Sequence, residues 1–239
     1  MAVKKTDTTF RFKQFEVDQD GCAMKINTDG VLLGAICSHP KPLHILDIGT
    51  GTGVIAMMLA QRFEQAKVSA VEIDAGAAAR AGLNFSHSPF AGRMQVTHED
   101  ISAYNSYERF DLIVSNPPYF VNDLKNPEAR KGIARHAAQD FFNVLLRKVA
   151  GLLHQEGQCW IILPVKQAQD LVVNAVLVGL YPQTIIDVHS DESKAAFRQI
   201  VCLSFANGEA EKQHLYIYES QGVYTTTYKQ LLKDFFLAF

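Results

Sequence analysis

The 239-residue sequence has few cysteines, no long apolar run and little net charge, and each absence excludes a class of protein. The four cysteines (Cys22, Cys37, Cys159 and Cys202) are scattered and never form Cys-x-x-Cys. This spacing argues against a zinc ribbon or a disulfide framework and favours a reducing cytoplasm. The longest nearly apolar run, Leu171 to Leu180, is shorter than the roughly 20 residues that span a bilayer. The N-terminal segment has no apolar core, so no secretory signal is expected.

The formal net charge of −2 disfavours a nucleic-acid binder, because such proteins usually carry a basic domain. The apolar fraction of 48% is ordinary for a globular domain and excludes disorder, collagen and coiled coil. Whole-chain charge is an average over the surface, however, so a local basic site remains compatible with it.

From residue 43 onward, apolar runs of strand length alternate with segments of helix length. This alternation predicts βαβ units, a mainly parallel sheet and helices on both faces. We expect a single domain over residues 1–239, with an N-terminal hairpin and helix extension (1–40), a core (41–206) and a C-terminal extension (207–239). Thr28-Asp29-Gly30 is expected to cap the first helix. The predicted strands are Leu43–Ile48, Val68–Ile73, Met94–Thr97, Phe110–Ser115, Gln158–Leu163, Thr184–His189 and Gln199–Ala206, with a further strand at Leu215–Glu219.

The first motif is a glycine turn between a predicted strand and a predicted helix, with Asp47, Gly49, Gly51 and Gly53 at alternating positions. Glycine permits positive φ and lets a ligand approach the backbone, while the helix N-terminus presents free N–H groups. The spacing is not the G-x-G-x-x-G of dinucleotide enzymes. An acidic residue at the strand end would repel a pyrophosphate but suits an ammonium or sulfonium group, so the motif indicates S-adenosylmethionine rather than NAD.

Two further acidic positions follow the next predicted strands. Glu72 ends the second strand about 20 residues after the glycines, where a carboxylate can accept both ribose hydroxyls. Asp100 follows the third strand and can accept from an adenine amino group. Ile73 and Ile101 can then pack on the two faces of the adenine ring.

The second motif is Asn116-Pro117-Pro118-Tyr119, directly after the strand Phe110–Ser115. The prolines stop the strand and stiffen the turn. The Asn116 side-chain oxygen and the Pro117 carbonyl can accept both hydrogens of a planar –NH2 group and orient its nitrogen towards a methyl donor. Tyr119 offers a ring on which a substrate base can stack. Such a transfer depends on positioning and requires no metal and no nucleophilic side chain.

Together these motifs resemble the class I S-adenosylmethionine-dependent methyltransferases that modify exocyclic or amide nitrogens. The N-terminal segment, with Met24-Lys-Ile-Asn-Thr28-Asp29-Gly30, and Lys131-Gly-Ile-Ala-Arg135-His136 are similar to the bacterial tRNA(Val) adenine-N6 methyltransferase family. The resemblance covers nearly the whole chain and implies a Rossmann-like sheet of seven strands, mostly parallel with one antiparallel strand. It implies that Thr28 and Asp29 close the cofactor site, that Asp47 and the glycines line the methionine portion, and that the target is the adenosine just 3′ to the anticodon.

A basic stretch beside the second motif is the candidate surface for tRNA. Residues 124–148 contain six basic and two acidic side chains, a local charge of +4. Arg130, Lys131 and Arg135 could neutralise phosphates, and His136 could stack or hydrogen-bond. We expect tRNA as the partner, no metal, no membrane association and a cytoplasmic location. The sequence does not determine the oligomeric state, although a monomer is favoured.

Other activities remain open at this point. Asn-Pro-Pro-Tyr also serves glutamine N5-methylation in proteins, although such enzymes typically carry a separate helical N-terminal domain. A ribosomal RNA guanine-N2 methyltransferase is a further alternative, usually with a duplicated domain. A non-catalytic RNA-binding module that keeps the fold is disfavoured by the intact Asn116-Pro-Pro-Tyr119 motif.

Overall fold

The computed structural model describes residues 8–22, 25–119 and 127–239, and in the last range side chains are described from residue 140 onward. Within these ranges the helices are α1 (Thr28–Ile36), α2 (Val54–Arg62), α3 (Ala75–His87), α4 (Pro127–Leu152), α5 (Val165–Val176) and α6 (Thr226–Leu232). The strands are β1 (Thr9–Arg11), β2 (Glu16–Asp18), β3 (His44–Ile48), β4 (Lys67–Glu72), β5 (Met94–His98), β6 (Phe110–Ser115), β7 (Leu153–Leu163), β8 (Tyr181–His189), β9 (Arg198–Ser204), β10 (Glu211–Tyr216), β11 (Tyr218–Ser220) and β12 (Val223–Tyr224).

The main sheet has the order β10-β8-β9-β7-β6-β3-β4-β5. Strand β9 runs antiparallel to both of its neighbours, whereas the other neighbouring pairs are parallel. The predicted Rossmann-like α/β fold with one antiparallel strand is therefore confirmed. Among the described residues the sheet has eight strands rather than the seven implied by the resemblance, because β10 pairs with β8 at the edge. The predicted strand Leu215–Glu219 is divided between the end of β10 and the start of β11. Four of the six residues of β10 are exposed in succession, so the apolar alternation that signals a strand is weak there.

The sheet separates two hydrophobic clusters, and neighbouring residues of β3 show why. Ile45 packs in the cluster with α1, α2 and α3, whereas Leu46 packs in the cluster with α4 and α5. Successive side chains of a strand point to opposite faces, so a strand buried on both sides is a continuous apolar run. This explains why the core strands are recognisable in the sequence.

The first described N-terminal residues and the C-terminus both pack against the first cluster. Strands β1 and β2 form an antiparallel hairpin, and Phe12 bridges to Phe236 near the C-terminus. At the C-terminus Phe235 is buried in this cluster. Helix α1 begins at Thr28 and is capped by Asn27, whose side chain accepts from the Gly30 N–H at 2.9 Å, so the expected cap at Thr28-Asp29-Gly30 was one residue late.

The carboxyl ends of β3, β4, β5 and β6 lie at one edge of the sheet, because these strands are parallel. Ligands of open α/β sheets bind outside this edge. None of the helices in the described ranges is both long and apolar enough to cross a membrane.

Candidate active site

The glycine turn after β3 has the backbone conformation that its sequence predicts. Gly49, Gly51 and Gly53 have φ values of 71°, 58° and 89°, in the left-handed region that favours glycine. A methyl group added at Gly49 or Gly51 would meet no atom within 4 Å, whereas one at Gly53 would come within 2.4 Å of the Phe85 ring. The first two glycines therefore leave space for a ligand, and the third allows α2 and α3 to pack closely.

Asp47 lies beneath this turn and is completely buried. Its Oδ2 atom accepts hydrogen bonds from the Thr50 hydroxyl at 2.6 Å and from the Ala56 N–H at 3.1 Å. Its Oδ1 atom is buried without a partner among the described residues. Burial raises the pKa of Asp47 to about 7, and the negative charge of Glu72 acts in the same direction. The Asp47 carboxylate thus connects the glycine turn to the start of α2 through these two hydrogen bonds.

Glu72, at the end of β4, is hydrogen-bonded to the glycine turn. Its Oε2 atom accepts from the Gly51 N–H at 2.8 Å, and its Oε1 atom accepts from the Asp74 N–H at 2.9 Å. The carboxylate is mostly buried and oriented by these two bonds. Each carboxylate oxygen keeps a second lone pair, so Glu72 can still accept hydrogen bonds from a ligand.

A cavity of about 560 Å³ at this edge of the sheet is lined by the glycine turn and by Asn116, Pro117 and Pro118, whereas Tyr119 of the same motif is not part of its lining. This volume lies in the range typical of small-molecule sites. Ile73 has 63% of its surface exposed there, as expected for an apolar side chain that a ligand ring would cover. Hydrogen bonds from the backbone and side chain of Ser102 lower the pKa of Asp100, which keeps this carboxylate ionised as an acceptor. The lining residues at the strand ends include Gly49, Gly51, Glu72, Ile73, Asp100, Ile101, Asn116, Pro117 and Pro118.

Tyr119 is held by residues from two distant parts of the chain. Its hydroxyl donates to Asp29 Oδ2 at 2.5 Å and lies 3.0 Å from Asn116 Oδ1. Arg198 Nε donates to the same Asp29 oxygen at 2.8 Å, and the guanidinium carbon lies 4.5 Å from the centre of the Tyr119 ring. Asp29 is 6% exposed, so this carboxylate is shielded from water by its two partners.

The charges of this cluster are well defined. Burial raises the pKa of Tyr119 well above its ordinary value, and the hydrogen bond to Asp29 and its charge raise it further, so the phenol stays protonated at neutral pH. Burial lowers the pKa of Arg198, but the hydrogen bond and charge of Asp29 outweigh burial, and the net shift is upward. The cluster is therefore a neutral phenol beside an ion pair.

Several residues predicted for the cofactor site do not line the cavity. Asp47 and Gly53 lie behind the glycine turn, and Asp29 contacts Tyr119 and Arg198 instead. Thr28 and Asp29 line a neighbouring cavity of about 320 Å³. The side chains of the four predicted RNA contacts lie outside the described residues, although their backbone belongs to α4. These four are Arg130, Lys131, Arg135 and His136.

Other residues at the site were not predicted from the sequence. Helix α4 contributes Asp140, Phe141 and Val144 to the cavity, and β9 contributes Arg198 to the Tyr119 cluster. Val144 is an apolar side chain that is 37% exposed beside the cavity, and the sequence alone gave no indication of that exposure. Arg198 is the first residue of the apolar strand β9, and the neighbouring sequence does not indicate that it contacts Tyr119.

In the described part of the chain, no group of three or more His, Cys, Asp or Glu side chains could hold a metal ion.

Comparison with known proteins identifies the family. Residues 27–179 match the model of the methyltransferase small domain. The tRNA1(Val) (adenine(37)-N6)-methyltransferase of Pedobacter heparinus is 58% identical over 230 residues, which cover 96% of this chain and 98% of the relative. The protein of the same name from Actinobacillus pleuropneumoniae serotype 7 is 42% identical and covers 95% of this chain and 97% of its own. The chain belongs to the tRNA1(Val) (adenine(37)-N6)-methyltransferase family.

Solved structures support the fold. A predicted O-methyltransferase from Agrobacterium tumefaciens has a TM-score of 0.65 at 19% identity, covering 87% of this chain and 96% of its own. A glycopeptide N-methyltransferase complexed with S-adenosylmethionine has a TM-score of 0.56 at 14% identity, covering 76% of this chain and 100% of its own. The chain is thus an S-adenosylmethionine-dependent methyltransferase. The open space at Gly49 and Gly51 and the carboxylate of Glu72 fit that cofactor.

Proposed function

We propose that this chain methylates N6 of adenosine 37 in tRNA1(Val), next to the anticodon. The observation that carries this proposal is that one cavity is lined both by the glycine turn and by Asn116-Pro117-Pro118, in a chain 58% identical to a relative of that name. Fold alone would not support a substrate, since many activities share this sheet.

Each residue at the strand ends contacts a different part of the cofactor. Gly49 and Gly51 let the methionine portion approach the backbone, and Glu72 accepts from the ribose hydroxyls. Asp100 accepts from the adenine amino group, with Ile73 and Ile101 on the ring faces. Asp47 acts through the turn, because its carboxylate is bonded to Thr50 and Ala56 and does not line the cavity.

Asn116 and Pro117 orient the target amine. The Asn116 Oδ1 atom and the Pro117 carbonyl accept the two N6 hydrogens and direct the nitrogen lone pair into the cavity. S-adenosylmethionine, when bound, supplies a sulfonium methyl group. That group would be transferred to the nitrogen held by Asn116 and Pro117, and sulfur would keep the electron pair of the broken carbon–sulfur bond. The methylated nitrogen then loses a proton to solvent.

Tyr119 contributes its ring rather than a proton acceptor. Its raised pKa keeps the hydroxyl neutral and bonded to Asp29. A half-buried neutral phenol presents an apolar face for stacking without adding charge to the site. The target base must leave its own stack to reach this face, and a base in a loop is extruded at less cost than a paired one.

Helix α4 connects the cavity to the proposed RNA surface. Phe141 and Val144 line the cavity, and Arg130, Lys131, Arg135 and His136 occupy the preceding turns of the same helix. The local charge of +4 over residues 124–148 suits phosphate contacts near the entrance. We also propose that the chain acts as a single-domain monomer in the cytoplasm, where tRNA is modified.

Labelled methyl transfer to total tRNA tests this function. The protein is incubated with methyl-labelled S-adenosylmethionine and tRNA from a strain that lacks it, and the nucleosides are separated by mass spectrometry. We expect N6-methyladenosine, mapped to position 37 of tRNA1(Val). The Asn116→Ala variant serves as the matched control for label that does not depend on the motif.

Three results would contradict the proposal. Label in N2-methylguanosine would favour a guanine methyltransferase, and label in a protein glutamine would favour the amide methyltransferase. Tight tRNA binding without transfer, at saturating cofactor, would favour a non-catalytic RNA-binding module.

A further inference from the structure

The groups that should receive the target base are already engaged by the protein itself. Asn116 Oδ1, the acceptor assigned to the amine, lies 3.0 Å from the Tyr119 hydroxyl. One face of the Tyr119 ring is covered by Arg198, whose guanidinium carbon lies 4.5 Å from the ring centre. A base cannot stack on that face while the guanidinium remains there.

The guanidinium of Arg198 is held in this place by several contacts. Nε donates to Asp29 at 2.8 Å, and Nη1 donates to the Phe197 carbonyl at 2.9 Å. The guanidinium carbon also lies 5.4 Å from the centre of the Phe197 ring. Guanidinium groups are planar and stack on aromatic faces, which is the geometry that a nucleobase would adopt on the same ring.

We propose that Arg198 is a placeholder for the target base. In the free protein its guanidinium covers the face of Tyr119 on which the base stacks, and the incoming base displaces it. This inference rests on the proposed function and adds to it a residue outside both sequence motifs.

The two acceptors of the Tyr119 hydroxyl fit such an exchange. When the target amine takes Asn116 Oδ1, the hydroxyl keeps its bond to Asp29 Oδ2 at 2.5 Å. The phenol is therefore never left without a partner, which would be costly for a buried group. Asp29 then holds the ring in place while Arg198 moves.

The experiment measures the contribution of the target base to tRNA binding separately from that of the phosphates. Two forms of full-length tRNA1(Val), with adenine or an abasic site at position 37, are assembled by ligation. The Kd of each is measured with S-adenosylhomocysteine present, so that no transfer occurs. The ratio of the abasic Kd to the adenine Kd reports the contribution of the base, because phosphate contacts are common to both RNAs.

Removing the placeholder should increase that ratio. For Arg198→Gln we expect a rise of about threefold to tenfold, since the base no longer competes with a stacked cation. Arg198→Lys keeps the charge beside Asp29 but lacks the planar group, and its ratio should also rise. The kcat of both variants is measured beside this ratio, so that a loss of catalysis is told apart from a change in base binding. Arg11→Gln removes an exposed charge distant in the sequence and should leave the ratio unchanged.

The opposite results are equally clear. An unchanged or smaller ratio in both Arg198 variants would overturn the placeholder role, and a fall in kcat with an unchanged ratio would indicate a purely structural ion pair. If thermal melting shows that Arg198→Gln is unfolded, Arg198→Lys decides. If the wild-type protein does not methylate the adenine-containing tRNA at all, the proposed function fails, which is a distinguishable outcome.

Discussion

The Gly51 N–H donates a hydrogen bond to Glu72 Oε2 at 2.8 Å, which joins the turn after β3 to the end of β4. This bond makes the glycine motif and the acidic residue one unit, although they are 21 positions apart in the sequence. It also fixes the carboxylate beside the open space at Gly51, where a ligand can use its remaining lone pairs.

Replacing Gly51 with alanine should weaken cofactor binding more than it weakens the fold. The residue has a φ of 58°, so alanine adds strain of about 1–2 kcal/mol, and the new methyl group enters the space beside the cavity. We expect the affinity for S-adenosylmethionine to fall by about tenfold or more, measured by calorimetry. Gly179→Ala is the matched control, because its φ of 78° is also strained and its surroundings are also open. Equal affinities in the two variants would show that the space at Gly51 is not a ligand site.

Asn116→Ala should keep cofactor binding and lose methyl transfer. The substitution removes the acceptor that orients the target amine but no group assigned to the cofactor. A loss of about a hundredfold or more in kcat is expected, comparable with removal of a preorganised polar group in other enzymes. Calorimetry and labelled methyl transfer measure the two properties separately. The exposed Asn105, changed to alanine, provides the control, and transfer at the wild-type rate by Asn116→Ala would refute the assigned chemistry.

Asp47 should make stability depend on pH. Burial raises its folded-state pKa to about 7, above the unfolded value of about 3.9. The folded protein therefore binds the proton more tightly, and its contribution to stability is full below about pH 4 and is lost as pH rises through about 7. Asp47→Asn removes this titration. We expect the free energy of unfolding of the wild type, minus that of the variant, to fall by on the order of 1–4 kcal/mol between pH 4 and pH 8. Urea denaturation at several pH values measures it, and parallel pH curves would contradict the shift.

Arg135→Gln should weaken tRNA binding mainly at low salt. If the side chain neutralises one phosphate, the slope of log Kd against log salt should decrease by about one. Lys212→Gln removes a charge from the exposed strand β10 and serves as the control. Fluorescence titrations over a range of salt concentrations give both slopes. The RNA surface proposed for α4 would have to be abandoned if the two variants had the same slope as the wild type.

The amino-acid sequence alone determined the fold class and which polar residues follow the strands of the sheet. Core strands such as Phe110–Ser115 are buried on both faces, so their apolar runs are visible without a structure. The chain direction of a parallel sheet then places every strand end at one edge, and Glu72, Asp100 and Asn116 meet there for that reason. Most of strand β10 lies before the predicted strand Leu215–Glu219, because its first four residues are exposed in succession and carry little apolar signal.

Only the tertiary structure decided which way the polar side chains face. Asp47 belongs to the same motif as the glycines but is buried beneath the turn. Its Oδ2 atom accepts hydrogen bonds from Thr50 and from the start of α2. Asp29 and Arg198 are 169 positions apart and meet on Tyr119 through the packing of α1 against the sheet. No local pattern encodes such a contact, because it depends on the positions of three separate elements in space.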